Sequence, residues 1–278
     1  MVHKNMNDLK IAAVCMNSAP GEVERNLNRI QAFVSEAADN GVDLVCFPEL
    51  SVTGYTLKAP ADIYGKTNWN HAVDRLAYMA RQTNLVIIAG LAEPSDGPPP
   101  YITQLVAGPD GLLGIHRKTH LSPHENGVYR AGQKVEVIPC GKTRMGVQLC
   151  YEAHFPEIST IMSIKGAEIL IFSHASPRGN PDQKLKSWLR HLPARAFDNG
   201  VFVVACNQVG ETGEGFSFPG VSLVLGPDGL ILDQYTGSKE HILYSKLSTA
   251  LLNEVRQNKM KYFFPLRRPE LYKDILGP

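Results

Sequence analysis

The sequence predicts an α/β fold with four layers, αββα, in which two mixed β-sheets pack face to face between outer layers of helices. Short apolar runs typical of buried strands alternate with amphipathic stretches along nearly all of the 278 residues. Each half of the chain repeats strand, helix, strand, helix, strand and then a hairpin. Because the strands are apolar on both faces, the sheet face that helices leave open must be buried against the other sheet. We expect one domain over residues 1–278.

The first half supplies the elements of one predicted sheet. Apolar positions three and four residues apart predict its helices, and short continuous apolar runs predict its strands. In chain order these are a strand over 11–16, a helix over about 21–40, a strand over 43–48, a helix over about 68–82 and a strand over 85–90. Asp110-Gly111 then predicts a hairpin turn between strands over 102–107 and 112–117.

The second half repeats this order with elements of its own. They are a strand over 145–151, a helix over 156–165, a strand over 168–173, a helix over about 182–198 and a strand over 201–206. A second hairpin joins strands over 221–225 and 230–233 through Pro227-Asp228-Gly229. A final helix covers about 249–258.

The charge balance argues against nucleic acid and membrane partners. Lysine and arginine total 28, acidic residues total 27, and no segment concentrates the basic residues. No apolar run approaches the roughly 20 residues of a membrane-spanning helix. The first eight residues have no apolar core, so we expect no secretory signal and a cytoplasmic protein.

Cysteine usage points to the same compartment. The five cysteines are odd in number, and none has the spacing of a zinc or redox motif, so we expect no disulfide framework, no metal site and no cofactor. Most of them are typical of buried apolar residues in a reducing environment. At most one of the five needs a chemical role.

Three predicted strands have a reactive side chain at or just beyond their C-terminal end: Glu49, Lys118 and Cys150. Taken singly, each is more often a solvated charge or a buried thiol. Together they form a set suited to acyl chemistry. A cysteine nucleophile needs a base because the thiolate is the reactive form, and Glu49 is the candidate. The oxyanion formed on attack needs positive charge and N–H donors, which Lys118 and the backbone N–H of Tyr151 can supply.

The segments around these residues resemble the motifs of the nitrilase, or carbon–nitrogen hydrolase, superfamily. The similarity covers nearly the whole chain because several downstream segments also match. The matching segments are Phe47-Pro48-Glu49-Leu50 with Gly54-Tyr55, Arg117-Lys118-Thr119-His120-Leu121, Gly146-Val147-Gln148-Leu149-Cys150-Tyr151-Glu152 with Phe155-Pro156-Glu157, Ala194-Arg195-Ala196-Phe197-Asp198-Asn199, Gly226-Pro227-Asp228-Gly229 and Arg268-Pro269-Glu270-Leu271-Tyr272. Three motifs in the family's order make the resemblance specific.

The resemblance implies the same αββα fold and hydrolysis of a non-peptide carbon–nitrogen bond in a small amide or carbamoyl compound. Cys150 would form a thioester that water hydrolyses after ammonia or an amine leaves. Many members carry a second glutamate after the lysine motif, which makes Glu125 a further catalytic candidate. Members also pair through their sandwiches. We therefore expect a homodimer or larger even assembly, with the aromatic tail over about 259–278 at the interface.

Four further residues are candidates for contact with the substrate: Tyr55, His120, His154 and Arg178. Arg178 could bind a substrate carboxylate through two parallel hydrogen bonds, although an exposed loop arginine is the usual case. The histidines are more often structural. His116, His120 and His124 are four residues apart, but Pro123 argues against a helix that would align them on a metal ion.

Several alternatives use the same residues differently. A Cys–His hydrolase with His154 or His174 as the base would leave Glu49 and Lys118 without a role. Nitrile hydrolysis, acyl transfer to an amine, and a regulatory binding module that retains the fold also remain open. We favour amides over nitriles because family members that act on nitriles usually carry tryptophan directly after the nucleophile, where this chain has Tyr151.

Overall fold

Two six-stranded mixed β-sheets lie at the centre of the computed structural model, which describes residues 6–58, 60, 69–212 and 215–276. The sheets pack face to face on apolar side chains from both, among them Ile11 and Ala13 from one sheet and Val147 and Ile169 from the other. Helices cover the outer face of each sheet. The predicted four-layer αββα sandwich is therefore confirmed. Among the helices of the described residues, none has the length and apolar character needed to cross a membrane.

The first sheet is built mainly from the N-terminal half of the chain. Its strands from this half are β1 (Leu9–Cys15), β2 (Leu44–Cys46), β3 (Val86–Glu93), β4 (Tyr101–Gly108) and β5 (Gly111–Arg117). The strands β1, β2 and β3 are parallel. The predicted hairpin β4–β5 continues the sheet antiparallel to β3, so β5 runs in the same direction as β2 and β3.

The second sheet is built from the C-terminal half. The strands of this half are β6 (Val137–Cys140), β7 (Thr143–Leu149), β8 (Ile169–His174), β9 (Phe202–Asn207), the short hairpin β10 (Gly210–Glu211) and β11 (Ser217–Phe218), then β12 (Gly220–Leu225) and β13 (Ile231–Gly237). The sheet order is β13-β12-β9-β8-β7-β6. Its central strands β7, β8 and β9 are parallel.

Strand β14 (His241–Leu247), which the sequence did not predict, returns the chain to the first sheet. It pairs antiparallel with β1, from Leu9 opposite Leu247 to Cys15 opposite His241, which gives the order β14-β1-β2-β3-β4-β5. Polar side chains interrupt its apolar pattern, so the sequence signal is weak. The strand ties the two halves of the chain into one sandwich.

The described helices are α1 (Val23–Asp39), α2 (Trp69–Thr83), α3 (Pro156–Ile164), α4 (Pro181–Trp188), α5 (Leu192–Asn199) and α6 (Thr249–Gln257). Helices α1 and α2 cover the first sheet, where Leu27 and Leu76 pack with Val45. Helices α3 to α5 cover the second sheet, where Met162 packs in one cluster with Val203. Each layer of helices thus covers the outer face of one sheet. The ends of the strands are not covered by these helices and can carry a site.

The single helix predicted over 182–198 is wrong, because the structure divides it into α4 and α5. Helix α4 ends at Trp188 and α5 begins at Leu192. Pro193 explains the break: it has no N–H to donate, and its ring would clash with the carbonyl of Leu189 in a continuous helix. The break lets α4 and α5 follow the second sheet independently.

Candidate active site

The candidate catalytic residues lie just beyond the C-terminal ends of strands from both sheets. Glu49 comes after β2 and Lys118 directly after β5, two strands that run in the same direction in the first sheet. Cys150 directly follows β7, and Ala175 directly follows the parallel neighbour β8. Because the sheets pack face to face, these strand ends meet at one edge of the sandwich, where sheet folds commonly bind ligands.

Lys118 lies at the centre of this edge with no exposed surface. Its Nζ donates to Glu49 Oε1 at 2.7 Å and to Glu125 Oε1 at 2.8 Å. An ammonium group has three hydrogen-bond donors, so one donor remains available. The sequence analysis named Glu49 and Lys118 as one candidate set, and the family resemblance added Glu125; the structure places these three side chains in direct contact.

Backbone donors fix the other oxygens of both carboxylates. The N–H of Ala175 donates to Glu49 Oε2 at 3.0 Å, and the N–H of Ser122 donates to Glu125 Oε2 at 2.7 Å. The Tyr55 hydroxyl donates weakly to Glu125 Oε1 at 3.4 Å. The two carboxylates are therefore held at fixed positions on either side of the lysine.

The pKa values of the buried Glu49–Lys118 pair leave one partner able to exchange a proton near neutral pH and the other permanently charged. Burial raises the pKa of Glu49 to about 7, Glu125 adds to the rise, and Lys118 opposes it. Burial lowers the pKa of Lys118, but the two carboxylates outweigh burial and hold the pKa of Lys118 well above its usual value. Near neutral pH Glu49 can accordingly both accept and release a proton, whereas Lys118 stays charged.

Cys150 is the first residue of a 3₁₀-helix (Cys150–His154), where the sequence predicted that the strand would continue to Tyr151. Its φ is 34°, an unusual value for a residue with a side chain, and such values concentrate at functional sites. Burial and the charge of Glu49 raise the pKa of Cys150 to about 12. Its thiol is therefore protonated at neutral pH and needs a base at the moment of attack.

The turn that carries Cys150 is anchored by Glu152, a residue to which the sequence assigned no separate role. Its carboxylate accepts from the N–H of Leu149 at 2.6 Å, from His116 Nε2 at 2.9 Å, and from both the N–H (2.8 Å) and the hydroxyl (2.6 Å) of Thr119. His116 and Thr119 flank Lys118, so Glu152 connects the nucleophile turn to the lysine segment. Side chains two residues apart in an extended strand share a face, so His116 at the end of β5 lies on the same face as Lys118. This spacing was the signal in the sequence that His116 lies near the site and could contact Glu152.

A cavity of about 640 Å³ opens in front of Cys150, a size that suits a small organic molecule. Three of the four residues that the sequence analysis named as candidates for substrate contact line it: Tyr55, His154 and Arg178. His120 is not among the described lining residues; its ring lies 4.1 Å from that of Phe155 and bonds to the Thr119 hydroxyl. Residues 59 and 61–64, which follow Tyr55 in the sequence, lie outside the described residues.

Lys184, from α4, also lines the cavity. The sequence analysis did not identify this residue. Lys184 lies one turn before the buried Trp188, and both side chains are buried. That spacing was the available signal, but a lysine on an amphipathic helix is normally assigned to solvent. Because it lines the same cavity as Cys150, Lys184 belongs to the candidate site.

The histidines proposed as alternative bases have pKa values that burial lowers. His174 is buried, its ring lies 4.3 Å from that of Trp188, and burial with nearby positive groups holds its pKa well below the usual value. Burial also lowers the pKa of His154, which lies near the charge of Arg195. In the part of the chain that the structure describes, no three His, Cys, Asp or Glu side chains are grouped to hold a metal ion.

Comparison with known sequences identifies the same family as the motifs. The model of the carbon–nitrogen hydrolase family matches residues 10–257. A nitrilase of Pyrococcus abyssi is 30% identical over 95% of this chain and 99% of its own. An omega-amidase of Xenopus tropicalis is 27% identical over 87% of this chain and 88% of its own.

Solved structures share the fold. A carbon–nitrogen hydrolase from Helicobacter pylori G27 has a TM-score of 0.87 at 24% identity and covers 98% of this chain and 99% of its own. An amidase mutant from Nesterenkonia sp. AN1, solved in complex with butyramide, has a TM-score of 0.80 at 25% identity over 96% of both chains. With the family model matching most of its length, this chain belongs to the carbon–nitrogen hydrolase family and is a hydrolase of non-peptide carbon–nitrogen bonds.

Proposed function

We propose that this protein hydrolyses the carbon–nitrogen bond of a small amide or carbamoyl compound, with Cys150 as the nucleophile. The observation that carries the proposal is the buried Glu49–Lys118–Glu125 network at the cavity that Cys150 lines. It combines a carboxylate whose pKa is near 7 with a fixed positive charge. These are the two groups that a protonated thiol and a developing oxyanion require.

In the first half of the reaction, Glu49 takes the proton of the Cys150 thiol, and the thiolate attacks the carbonyl carbon of the amide. The oxyanion is held by the remaining donor of Lys118 Nζ and by the backbone N–H of Tyr151, which lies in the first turn of its 3₁₀-helix and has no carbonyl partner within that helix. Glu49 then gives the proton to the amide nitrogen. The carbon–nitrogen bond breaks, ammonia or an amine leaves, and a thioester remains on Cys150.

In the second half, water attacks the thioester and Glu49 takes the proton of that water. The oxyanion forms again at the same donors, the carbon–sulfur bond breaks, and Glu49 returns the proton to the thiolate of Cys150. Glu125 supports both halves because its carboxylate holds Lys118 in place at 2.8 Å. We assign Tyr55, His154 and Arg178 to substrate binding, since they line the cavity.

An amide is favoured over a nitrile by the tyrosine after the nucleophile and by the amidases among the relatives. These include an (R)-stereoselective amidase of a Pseudomonas species, which is 29% identical over 81% of this chain. The test assays matched pairs, each an aliphatic amide and its nitrile, at equal concentration and neutral pH. Faster acid formation from the nitrile across several pairs would reverse this assignment.

Replacement of Cys150 by alanine tests the nucleophile. Cys150→Ala should release no ammonia from a panel of simple amides, carbamoyl amino compounds and nitriles, yet fold normally, because it removes the reactive sulfur and little volume. Cys206→Ala is the matched control, since Cys206 is buried in the core between the sheets. Mass spectrometry of the wild-type protein treated with an electrophilic acyl substrate should find the adduct on Cys150. More than a few per cent of residual activity in Cys150→Ala would remove it from this role.

The quaternary structure and the compartment are part of the same proposal. We propose a single domain over residues 1–278 that forms a homodimer or larger even assembly in the cytoplasm. The tail supports an interface because Phe263, Leu266 and Leu271 are exposed apolar side chains. The five cysteines are free, which suits a reducing compartment. A monomeric mass by light scattering at micromolar concentration would contradict the assembly.

A further inference from the structure

The charges that line the cavity are unbalanced. Of its described lining residues, Glu125 is the one acid, and Lys118 and Ser122 already occupy its oxygens. Two basic side chains, Lys184 and Arg178, line the same cavity. Neither forms an ion pair with a carboxylate among the residues that the structure describes. The cavity therefore carries positive charge that no protein group described here neutralises.

Lys184 is the inner of these two cations. Its side chain is largely buried, with 6% of the residue exposed, and its Nζ donates to the Ser176 hydroxyl at 2.6 Å. Burial lowers the pKa of Lys184, and the nearby Cys150 opposes that shift, which places the ammonium within electrostatic range of the nucleophile. Two of its three donors remain for a ligand. A buried ammonium without a counter-ion is costly unless a bound anion neutralises it.

The scaffold holds Lys184 in place. The backbone of Ser176, whose hydroxyl accepts from Lys184, is itself fixed by Asn207: its N–H donates to Asn207 Oδ1 at 2.9 Å and its carbonyl accepts from Asn207 Nδ2 at 3.1 Å. Asn180 and Gln183 bond reciprocally at the start of α4. The lysine is therefore positioned before any substrate arrives, which reduces the entropic cost of binding.

Arg178 is the outer cation. It is exposed in the short segment between β8 and α4, and its Nη2 lies 3.4 Å from His124 Nε2 across the cavity. A planar guanidinium can bind a carboxylate through two parallel hydrogen bonds. It lies at the entrance, so it can reach the end of a substrate that extends away from Cys150.

We propose that Lys184 and Arg178 bind a carboxylate on the substrate, so that the enzyme acts on small amides that carry an acid group at the end remote from the scissile bond. This inference rests on the proposed amide hydrolysis and specifies its substrate class. Lys184 binds the anion inside the cavity, and Arg178 closes over it at the entrance. Lys184 is thus a residue that determines specificity.

The test compares glutaramate with pentanamide, in which a methyl group replaces the carboxylate. Wild-type kcat/KM should be at least about tenfold higher for glutaramate. Lys184→Met should reduce the ratio of the two kcat/KM values by about 10–100-fold, mainly through the KM of glutaramate, because a hydrogen bond to a charged group contributes about 1.5–3 kcal/mol. Arg178→Gln should reduce the ratio by roughly three- to tenfold, since the arginine is exposed.

Two exposed basic residues provide matched controls. Lys186→Met removes the same charge from the same helix, and Arg190→Gln removes an exposed guanidinium nearby; neither residue lines the cavity as described. Both variants should keep the wild-type ratio within about twofold. Equal losses for glutaramate and pentanamide in Lys184→Met would show instead that the lysine acts on Cys150, and the inference would be wrong.

A binding measurement separates this inference from the reaction itself. Glutaramate and pentanamide are titrated calorimetrically into Cys150→Ala, which cannot turn them over. Tighter binding of glutaramate that Lys184→Met abolishes in this background supports the carboxylate site even if the wild-type enzyme hydrolyses neither compound, in which case only the proposed reaction fails. Binding of glutaramate no tighter than pentanamide overturns the carboxylate site, whatever the wild-type activity.

Discussion

Two glutamates near Cys150 are equally buried, yet their environments shift their pKa values in opposite directions. Glu49 and Glu152 both have 0% exposed surface. Burial raises the pKa of Glu49 to about 7, with Glu125 adding to the rise. Burial also raises the pKa of Glu152, but His116 and Thr119 outweigh it and leave that pKa below the usual value.

The difference follows from the partners of each carboxylate. Glu49 shares its lysine with a second carboxylate and has one backbone N–H on its other oxygen. Glu152 accepts from an imidazole, a hydroxyl and two backbone N–H groups. Hydrogen bonds to the charged form favour that form, whereas an adjacent carboxylate disfavours it. Glu49 is thus suited to exchange protons, and Glu152 to anchor structure.

Glu49→Gln should produce the largest effect, because it removes the base and the acid of both half-reactions. We expect kcat to fall by about 10³–10⁴-fold, the upper part of the range for general acid–base catalysis. Ammonia release from the best amide in the panel is the measurement. A mild loss would favour a Cys–His mechanism with His154 or His174 as the base.

A matched control separates the loss of the Glu49 carboxylate as a proton carrier from the general effect of replacing a buried glutamate. Glu93 is also buried, in β3, and pairs with Arg117 away from the lining of the Cys150 cavity. Glu93→Gln should alter thermal stability while kcat stays within a few fold of the wild type. Equal losses of kcat in both variants would show that the Glu49 effect is structural.

Lys118→Ala should have the next largest effect, on the order of 10²–10³-fold in kcat, the cost of losing one oxyanion donor. It also leaves the carboxylates of Glu49 and Glu125 buried without their cation, so the melting temperature should fall. Lys142→Ala, which breaks an exposed pair with Asp43, is the control and should change neither quantity measurably. A Lys118→Ala enzyme with near-normal kcat would show that the lysine does not hold the oxyanion.

Glu152→Gln should act mainly on stability. Glutamine puts an amide donor where the carboxylate accepts four hydrogen bonds, so at least one N–H or hydroxyl loses its acceptor. The expected cost is about 1–3 kcal/mol in the free energy of unfolding. Urea denaturation measures it, with Glu136→Gln at an exposed pair as the control. A larger loss of kcat than in Glu49→Gln, at unchanged stability, would reverse the roles of the two glutamates.

The candidate catalytic residues could be located from the sequence more readily than their surroundings. Glu49, Lys118 and Cys150 stand in recognisable local motifs at strand ends, and a short motif can be recognised from neighbouring positions alone. The four layers were predicted for a similar reason, since apolar periodicity reports directly which faces are buried.

The remaining features depend on contacts between distant residues. The sequence did not predict β14, whose place is fixed by pairing with β1 more than two hundred residues earlier. It assigned Lys184 no role because only the folded structure puts that lysine in a cavity. Propensity and pattern describe local structure, and neither reports which strand ends meet.

A pH dependence should distinguish the two glutamates without any mutation. Glu49 must be ionised to take the thiol proton, and its pKa is about 7, so activity is lost as pH falls through 7. Below that pH, kcat/KM should fall about tenfold per unit, because one proton blocks the base. The pKa of Cys150 is about 12 and Lys118 stays charged, so neither should reduce activity between pH 8 and about 10.

Stability should respond to pH with opposite signs at the two residues. The folded-state pKa of Glu49 is raised, so the folded protein binds the extra proton and this residue's contribution to stability decreases as pH rises from about 4.5 to about 7. The pKa of Glu152 is lowered, so its contribution is complete above its usual value of 4.5 and is lost as pH falls below that value. Denaturation of wild type, Glu49→Gln and Glu152→Gln between about pH 3 and pH 8 measures both. If Glu49→Gln keeps the wild-type slope between pH 5 and 7, the raised pKa of Glu49 does not control that window.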